Sequence, residues 1–239
     1  DATDPMAAAS TAVSSGGPGV LYGMTGLVYN DRIYITGGAA SVGGAPIASV
    51  YYIKINSDGT LASSWVQTSS FTAGRLNMGG TNAVVWNGYL YVTGGCSAVN
   101  ASGICTTVVG DTQIASINAD GTLDAFTTIT GLTESRNGFG MLAWRDNIYV
   151  VGGCTAQDAS SGACLGGIQA GIDYGHVNSS GDVSTADVTV ASGVGVCSGG
   201  TPTNCNLPGT SDPGNNLSMS VVANGYIYHI GGCVANNCG

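Results

Sequence analysis

One short pattern occurs four times in this chain and limits its fold more than any other feature. In each copy an apolar strand is followed by a two-residue turn and a second strand with a central tyrosine, which ends in two glycines. The copies are GLVYNDRIYITGG (26–38), AVVWNGYLYVTGG (83–95), MLAWRDNIYVVGG (141–153) and SVVANGYIYHIGG (220–232). Most of the turn dipeptides suit the positive φ angles of a tight hairpin. The paired glycines allow a sharp bend. The pattern therefore predicts four β-hairpins.

A second pattern lies between the hairpins. An alternating strand, an Asp-Gly or Ser-Gly turn and another strand occur at 50–65, 112–126 and, more loosely, at 172–187. The complete unit is therefore predicted to have four strands. The first three hairpins recur at intervals of roughly 60 residues, and the last follows an insertion around CSGGTPTNC. Four-stranded units repeated in this way are typical of a β-propeller, in which radial repetition protects the sheet edges.

The repeat resembles the kelch family. The resemblance covers nearly the whole chain and rests on an apolar run ending in Gly-Gly, an aromatic in the next strand, a tryptophan-like residue about a dozen positions later, and an arginine ahead of a strand. The corresponding residues are Tyr52, Tyr174, Trp65, Phe126, Arg75 and Arg136. The third unit departs from the pattern at Ala186 or Asp187, and the first and fourth units lack the arginine. The resemblance implies an all-β propeller but no particular function.

The repeats also predict the boundaries of the units. We expect a single domain over 1–239, or part of a longer one, with blades at approximately 1–56, 57–118, 119–178 and 179–239. The first strand lies near Ala7 to Val13, and the last blade lacks its outer strand. Three explanations remain for that strand: a longer chain with more blades, a strand supplied by a neighbouring copy, which would build a filament, or a three-stranded blade. The third is the least favoured, because a bare edge promotes aggregation.

The charge of the chain excludes one class of partner. Only 8% of residues are charged, one lysine and four arginines are present, and the net charge is −9. Such a surface repels phosphate backbones, so nucleic acid binding is not expected. No window reaches the ~20 apolar residues of a transmembrane segment. The first residues, DATDPMAAAS, lack the basic segment and apolar core of a signal peptide, so a leader was either removed or never there.

The eight cysteines form four close pairs, each flanking a short loop. The pairs are Cys96 with Cys105, Cys154 with Cys164, Cys197 with Cys205, and Cys233 with Cys238. Local disulfides are the simplest prediction, since the spacings do not match zinc knuckles and no haem attachment motif is present. Closing such a loop contributes roughly 2–3 kcal/mol in the chain-entropy model. Disulfides indicate an extracellular or cell-surface location.

The cysteine loops are predicted to lie on one face of the propeller. In an up-and-down blade alternate connections share a face, and this places all four loops together. Loops on a rigid scaffold often carry binding functions, so a glycan or protein ligand is a candidate partner. Alternatively, the disulfides only protect the protein against proteases. Three sequons, at Asn100, Asn178 and Asn216, permit N-glycosylation, although about three would arise by chance.

No catalytic, cofactor-binding or metal site is predicted. The kelch-like propellers with known chemistry resemble galactose oxidase, a copper enzyme that uses two histidines, tyrosines and a cysteine. Here only His176 and His229 are present, and the repeat register does not bring them together. Asp58 and Asp120 lie in NSDGT and NADGT, which resemble fragments of a calcium loop but lack its remaining ligands. We therefore interpret them as hairpin turns.

The sequence favours a non-catalytic extracellular or cell-surface propeller. It would act as a binding or adhesion module, or as the structural subunit of an extracellular assembly such as a filament that self-associates through its incomplete last blade. The alternative is a secreted propeller enzyme of carbohydrate-oxidase or glycan-processing type. Exposed aromatic residues on the loop face would favour a glycan or protein ligand, whereas a vacant blade edge filled by another chain would favour assembly.

Overall fold

The structure of the chain is a computed structural model that describes residues 15–19, 21–77, 80–129, 131, 135–165, 172–183, 189–191 and 216–233. These residues are all-β: they contain fourteen strands, paired antiparallel, and no helix. Accordingly, no helix in the described part of the chain is long and apolar enough to cross a membrane. The all-β fold class predicted from the repeats is therefore confirmed.

The strands form four sheets in chain order. Sheet one contains β1 (Thr25–Tyr29), β2 (Arg32–Thr36), β3 (Val50–Lys54) and β4 (Val66–Thr68). Sheet two contains β5 (Ala83–Trp86), β6 (Tyr89–Val99), β7 (Cys105–Ser116) and β8 (Thr127–Ile129). Sheet three contains β9 (Gly140–Trp144), β10 (Asn147–Val151), β11 (Ile172–His176) and β12 (Thr189–Ala191). Sheet four contains β13 (Asn216–Ala223) and β14 (Tyr226–Cys233).

The four predicted hairpins are confirmed, together with their tight turns. Both turn residues have positive φ in every hairpin, as a two-residue turn of this hand requires. The turn residues are Asn30, Asp31, Asn87, Gly88, Arg145, Asp146, Asn224 and Gly225. The glycine pairs after β2 and β10 and the pair within β6 also have positive φ. At Gly37 a side chain would also clash, because an added Cβ would lie 2.4 Å from the carbonyl oxygen of Arg75.

The sheets are grouped differently from the predicted blades. β4 follows the Asp-Gly turn and pairs with β3 of the same sheet, with Tyr52 opposite Val66. The predicted boundary at residue 56 therefore cuts through a hairpin, and the boundary at 118 does the same between β7 and β8. A tight turn joins strands that hydrogen-bond to each other, so the four-stranded unit begins one strand later than expected. The strand predicted near Ala7 to Val13 lies outside the described residues.

Successive sheets pack against each other through their first strands and their apolar faces. β1 lies beside β5, β5 beside β9, and β9 beside β13. One apolar cluster joins Tyr34 of sheet one to Leu90 of sheet two. A second joins Tyr91 of sheet two to Met141 of sheet three. We call the face of a sheet that is turned towards the next sheet its front face. Among the described sheets, no strand order closes into a barrel.

Candidate functional site

Three connections lie side by side at one end of the sheets. They are residues 37–49 between β2 and β3, residues 100–104 between β6 and β7, and residues 152–165 after β10, and we call them together the loop face. Two of the predicted disulfides tie these connections, Cys96–Cys105 and Cys154–Cys164. Cys197, Cys205 and Cys238 and the side chain of Cys233 lie outside the described residues. The local pairing is therefore confirmed for two of the four pairs.

Each disulfide lies beneath its loop. Cys96 and Cys105 are 5.7 Å apart between Cα atoms and pack against Ala39 and Leu76. Cys96 also exchanges two backbone hydrogen bonds with Leu76, the residue after Arg75. In sheet three, Cys154 exchanges the same pair of backbone hydrogen bonds with Asn137, the residue after Arg136. The backbone at each disulfide is therefore hydrogen-bonded to the segment that leads into the first strand of the same sheet.

The loops are also fixed to each other. The Asn100 Nδ2 donates to the carbonyl oxygen of Ala159 at 2.6 Å, across two loops. Its Oδ1 accepts from the backbone N–H groups of Ser102 and Ile104, both at 3.0 Å. On the other side Gly43 packs so closely on Ala101 that a Cβ would lie 2.4 Å from the Ala101 oxygen. The middle loop thus contacts both of its neighbours, and the three loops form one continuous surface.

The sequons differ in what their amides contact. The amide nitrogen of Asn100 is used between loops, so a glycan attached there would remove that contact. Asn178 is exposed in the turn between β11 and β12, at the opposite end of the sheet, and its Oδ1 accepts from Ser180. Asn216 begins β13, and its side chain is outside the described part. N-glycosylation remains a prediction at all three.

The surface of the loop face is polar and contains no aromatic residue in the three segments named above. Its exposed large apolar side chains are Val42 and Leu165, at 59% and 65% exposure. Asp158 accepts hydrogen bonds from Ser160 and Ser161, which hold the pKa of its carboxyl well below the usual value. Aromatic side chains, which a glycan or protein ligand would favour, are missing from these segments.

Arg75 and Arg136 link the sheets beneath this face. Arg75 donates to Asp111 at 2.9 Å and Arg136 to Asp173 at 2.7 Å, each within its own sheet. Their backbone oxygens accept from Gly38 and Gly95 of the preceding sheets. Both arginines are 1% exposed, so each has a structural role.

Groups suited to catalysis do not converge in the described residues. His176 is exposed in β11, whereas His229 lies in β14 of another sheet. No group of three or more His, Cys, Asp or Glu side chains that could hold a metal ion occurs in the described part of the chain. Asp58 and Asp120 accept hydrogen bonds from Thr60 and Thr122 in their turns, which lowers the pKa of both carboxyls. The interpretation of these aspartates as turn residues is therefore confirmed.

A second candidate surface, which the sequence did not indicate, is the front face of sheet four. The large apolar side chains that the structure describes on this face are exposed: Met219 (54%), Val221 (43%), Tyr226 (62%), Tyr228 (45%) and Ile230 (59%). These residues pair across β13 and β14, Met219 with Ile230 and Val221 with Tyr228, so they form one continuous patch. At the central tyrosine position of sheets one and two, Tyr34 and Tyr91 are 0% exposed.

Comparison with known proteins adds little to this geometry. No family model matches the chain. No curated protein matches it either. A solved structure titled "Structure of YjhT" is similar over 73% of this chain, with 17% sequence identity and a TM-score of 0.48. The chain spans 46% of the length of that solved chain.

Proposed function

We propose that the protein is a kelch-like β-propeller protein of the extracellular space or cell surface, and that it acts without catalysis as a subunit of a protein assembly. Successive four-stranded antiparallel meanders that pack through their first strands support the propeller hypothesis, because propeller blades have this order. The last described sheet contains only two strands, so we propose no total number of blades.

The location outside the cell is supported by the two disulfides and by the composition. Disulfides persist in oxidising compartments and are rare in the cytosol. Both described pairs close short local loops and are buried, with no cysteine exposed more than 5%. The low content of charged residues, 8%, also fits a surface wetted by Ser, Thr, Asn and Gly.

The observation that carries the assembly proposal is the exposed front face of sheet four. Monomeric proteins rarely leave a contiguous apolar patch of this kind uncovered, and such patches mark interaction sites. Tyr226 and Tyr228 add aromatic area, which is enriched in the energetically important part of protein interfaces. In sheets one and two the equivalent face packs against the next sheet. A face of this kind is therefore suited to binding another protein surface rather than a small ligand.

Association in solution tests this function. We expect light scattering after size exclusion to show the mass rising with concentration for the wild-type chain, and the Tyr226→Ser, Ile230→Ser double variant to remain monomeric. The matched control is Val42→Ser with Leu165→Ser, which removes two equally exposed apolar side chains from the loop face. A monomeric wild-type chain at every concentration would contradict the assembly function.

The same control tests the second candidate, adhesion through the loop face. That candidate is supported by the contact between neighbouring loops and by the exposure of Val42 and Leu165. If the Val42→Ser, Leu165→Ser variant loses binding to a cell or matrix surface while the front-face variant keeps it, the loop face is the functional surface. The enzyme alternative has no comparable observation in its favour.

A further inference from the structure

Sheets one, two and three are joined by a repeated contact between a tyrosine and a turn. The Tyr34 hydroxyl of sheet one donates to the carbonyl oxygen of Gly121 in sheet two at 3.0 Å. The Tyr91 hydroxyl of sheet two donates to the carbonyl oxygen of Gly181 in sheet three at 2.7 Å. Both tyrosines are the central residue of the repeated hairpin. The front face of a sheet therefore recognises the Gly turn of the following sheet.

The residue two positions before the tyrosine completes this contact. A Cβ added to Gly121 would lie 2.2 Å from the Arg32 Nε, and one added to Gly181 would lie 2.8 Å from the Tyr89 ring. Both glycines have positive φ, at 91° and 83°. A side chain at either position would be strained and would also clash with the preceding sheet. The receiving turn thus needs glycine for two reasons.

Sheet one carries a receiving turn that no described residue covers. Gly59 occupies the same place in the turn between β3 and β4, has φ of 83°, and has no atom within 4 Å of its Cβ position. All residues from 56 to 60 are exposed. On the back of the same sheet Val28 is 70% exposed, whereas Ile53 is fully buried. At the matching place in sheet two, Val85 is partly buried against the core cluster that sheets one and two share.

Sheet four carries the complementary half of the contact, also uncovered. Tyr226 and Tyr228 stand at the positions of Tyr89 and Tyr91 in the repeated hairpin, and they are 62% and 45% exposed. The described part of each chain therefore has one exposed donor face and one exposed receiving turn of the same type. The two do not meet within the described part of one chain, since no described atom lies within 4 Å of the Cβ position of Gly59.

We propose that the front face of sheet four binds the 56–60 turn and the exposed Val28 of sheet one in a second copy of this chain. In this head-to-tail contact the Tyr228 hydroxyl donates to the Gly59 carbonyl oxygen, and the Tyr226 ring covers Gly59. The inference rests on the proposed assembly function and names its partner and register. Such a contact joins two different surfaces, so it builds a ring or an open filament according to whether the rotation closes.

Photo-crosslinking of the full chain tests the register. Tyr226 is replaced by p-benzoylphenylalanine, and isotope-labelled and unlabelled chains are mixed before irradiation. We expect mass spectrometry to find the crosslink on the peptide that contains residues 56–60, joining a labelled chain to an unlabelled one. A crosslink to the same peptide within one chain, or to another part of a second chain, would overturn the proposed contact.

A pair of glycine variants tests the same contact by affinity. Gly59→Asn keeps a residue that tolerates positive φ, and we expect it to weaken association roughly tenfold, as loss of a central contact does. Gly225→Asn is the matched control, because Gly225 also has positive φ, 82°, and open space. Circular dichroism checks that both variants fold.

The glycine variants also separate this inference from the proposed function. If the wild-type chain associates but Gly59→Asn associates equally well, the register is wrong while the assembly function survives. If the wild-type chain does not associate at all, both proposals fail. Equal weakening by Gly59→Asn and Gly225→Asn would mean that neither turn is specific, and would also overturn the inferred contact.

Discussion

The phenol of Tyr91 lies fully buried between sheets two and three, and its hydroxyl is the polar link between them. We expect Tyr91→Phe to lower the free energy of unfolding by about 1–3 kcal/mol, because the Gly181 carbonyl oxygen would be left without this donor. Urea denaturation measures the change. Tyr226→Phe is the control, since Tyr226 is exposed and should leave stability unchanged. Equal effects of the two variants would contradict the proposed importance of the buried link.

The Asp111 carboxylate gives the molecule an acid-sensitive contact. Burial raises the pKa of Asp111, but hydrogen bonds from Arg75 and Gln113 outweigh burial and hold it below the usual 3.8. Because the folded pKa is depressed, the stabilisation is complete above 3.8 and is lost as the pH falls through the folded value. We expect wild type to be more stable than Asp111→Asn at neutral pH, and this difference to shrink in acid. A difference that is constant with pH would contradict the assignment.

At the residue scale the sequence predicted the two arginines but not their partners. Arg75 and Arg136 occupy matching places ahead of β5 and β9. Asp173 pairs with Val150 in sheet three, and the residue at the matching place in sheet two is Gln113, which pairs with Val92. Asp111 lies two residues before Gln113, on the same side of the strand. An alignment of the repeats therefore cannot identify Asp111 as the partner of Arg75. Its carboxylate lies two residues earlier in the strand of sheet two than the carboxylate of Asp173 does in the matching strand of sheet three.

At the scale of elements, local chemistry was predictable and strand pairing was not. Asn-Gly and related dipeptides specify a tight turn by themselves, and even the less usual Arg145-Asp146 turn adopts positive φ. The grouping of strands into sheets depends on which neighbouring strands hydrogen-bond to each other. A repeated sequence pattern does not show which strand is the first of a sheet. The β3–β4 connection contains an Asp-Gly turn, which is typical of a hairpin. This turn indicates that the boundary between the first two sheets lies after residue 68 rather than at 56.

The disulfide between β6 and β7 should stabilise more than its own loop. We expect the Cys96→Ser, Cys105→Ser double variant to lose about 2–3 kcal/mol of unfolding free energy, from loop closure alone. Since the Asn100 Nδ2 contacts Ala159 in the next loop, protease cleavage should also become faster in residues 152–165 of the same variant. Thermal unfolding and limited proteolysis measure the two effects.

Asn100→Ala is the control for that coupling, because it removes the contact between loops and leaves the disulfide intact. It should accelerate cleavage in residues 152–165 while having a smaller effect on global stability. Unchanged cleavage of that segment in both variants would show that the loops behave independently.

At the scale of the whole molecule, the packing of one sheet on the next could not be predicted from sequence. The Tyr34–Gly121 and Tyr91–Gly181 contacts join residues 87 and 90 positions apart. No local pattern encodes such a distance. The repeat predicts that each tyrosine has an equivalent environment, yet Tyr228 is exposed and Tyr91 is buried. Only the order of the sheets in space distinguishes a covered face from an uncovered one.

Association of these chains should become stronger with added salt. Each chain carries a net charge of −9, so two copies repel each other at long range. The proposed contact is apolar apart from one hydrogen bond, and salt shortens the Debye length from ~10 Å at 0.1 M to ~3 Å at 1 M. We expect sedimentation velocity to give a lower dissociation constant as sodium chloride rises. Weaker association with salt would indicate an interface held by ion pairs instead.

The two described disulfides each join residues of one sheet, across 9 and 10 positions of the chain, and neither connects one sheet to another. A subunit placed under tension would therefore part between sheets, where tyrosine hydroxyls and apolar side chains bear the load. Inside sheets two and three, each crosslink shields its loop from the pull and shortens the extension by roughly 25 Å. In an assembly joined head to tail, the covalent bonds would thus limit how far each subunit stretches, while the boundaries between sheets decide when it yields.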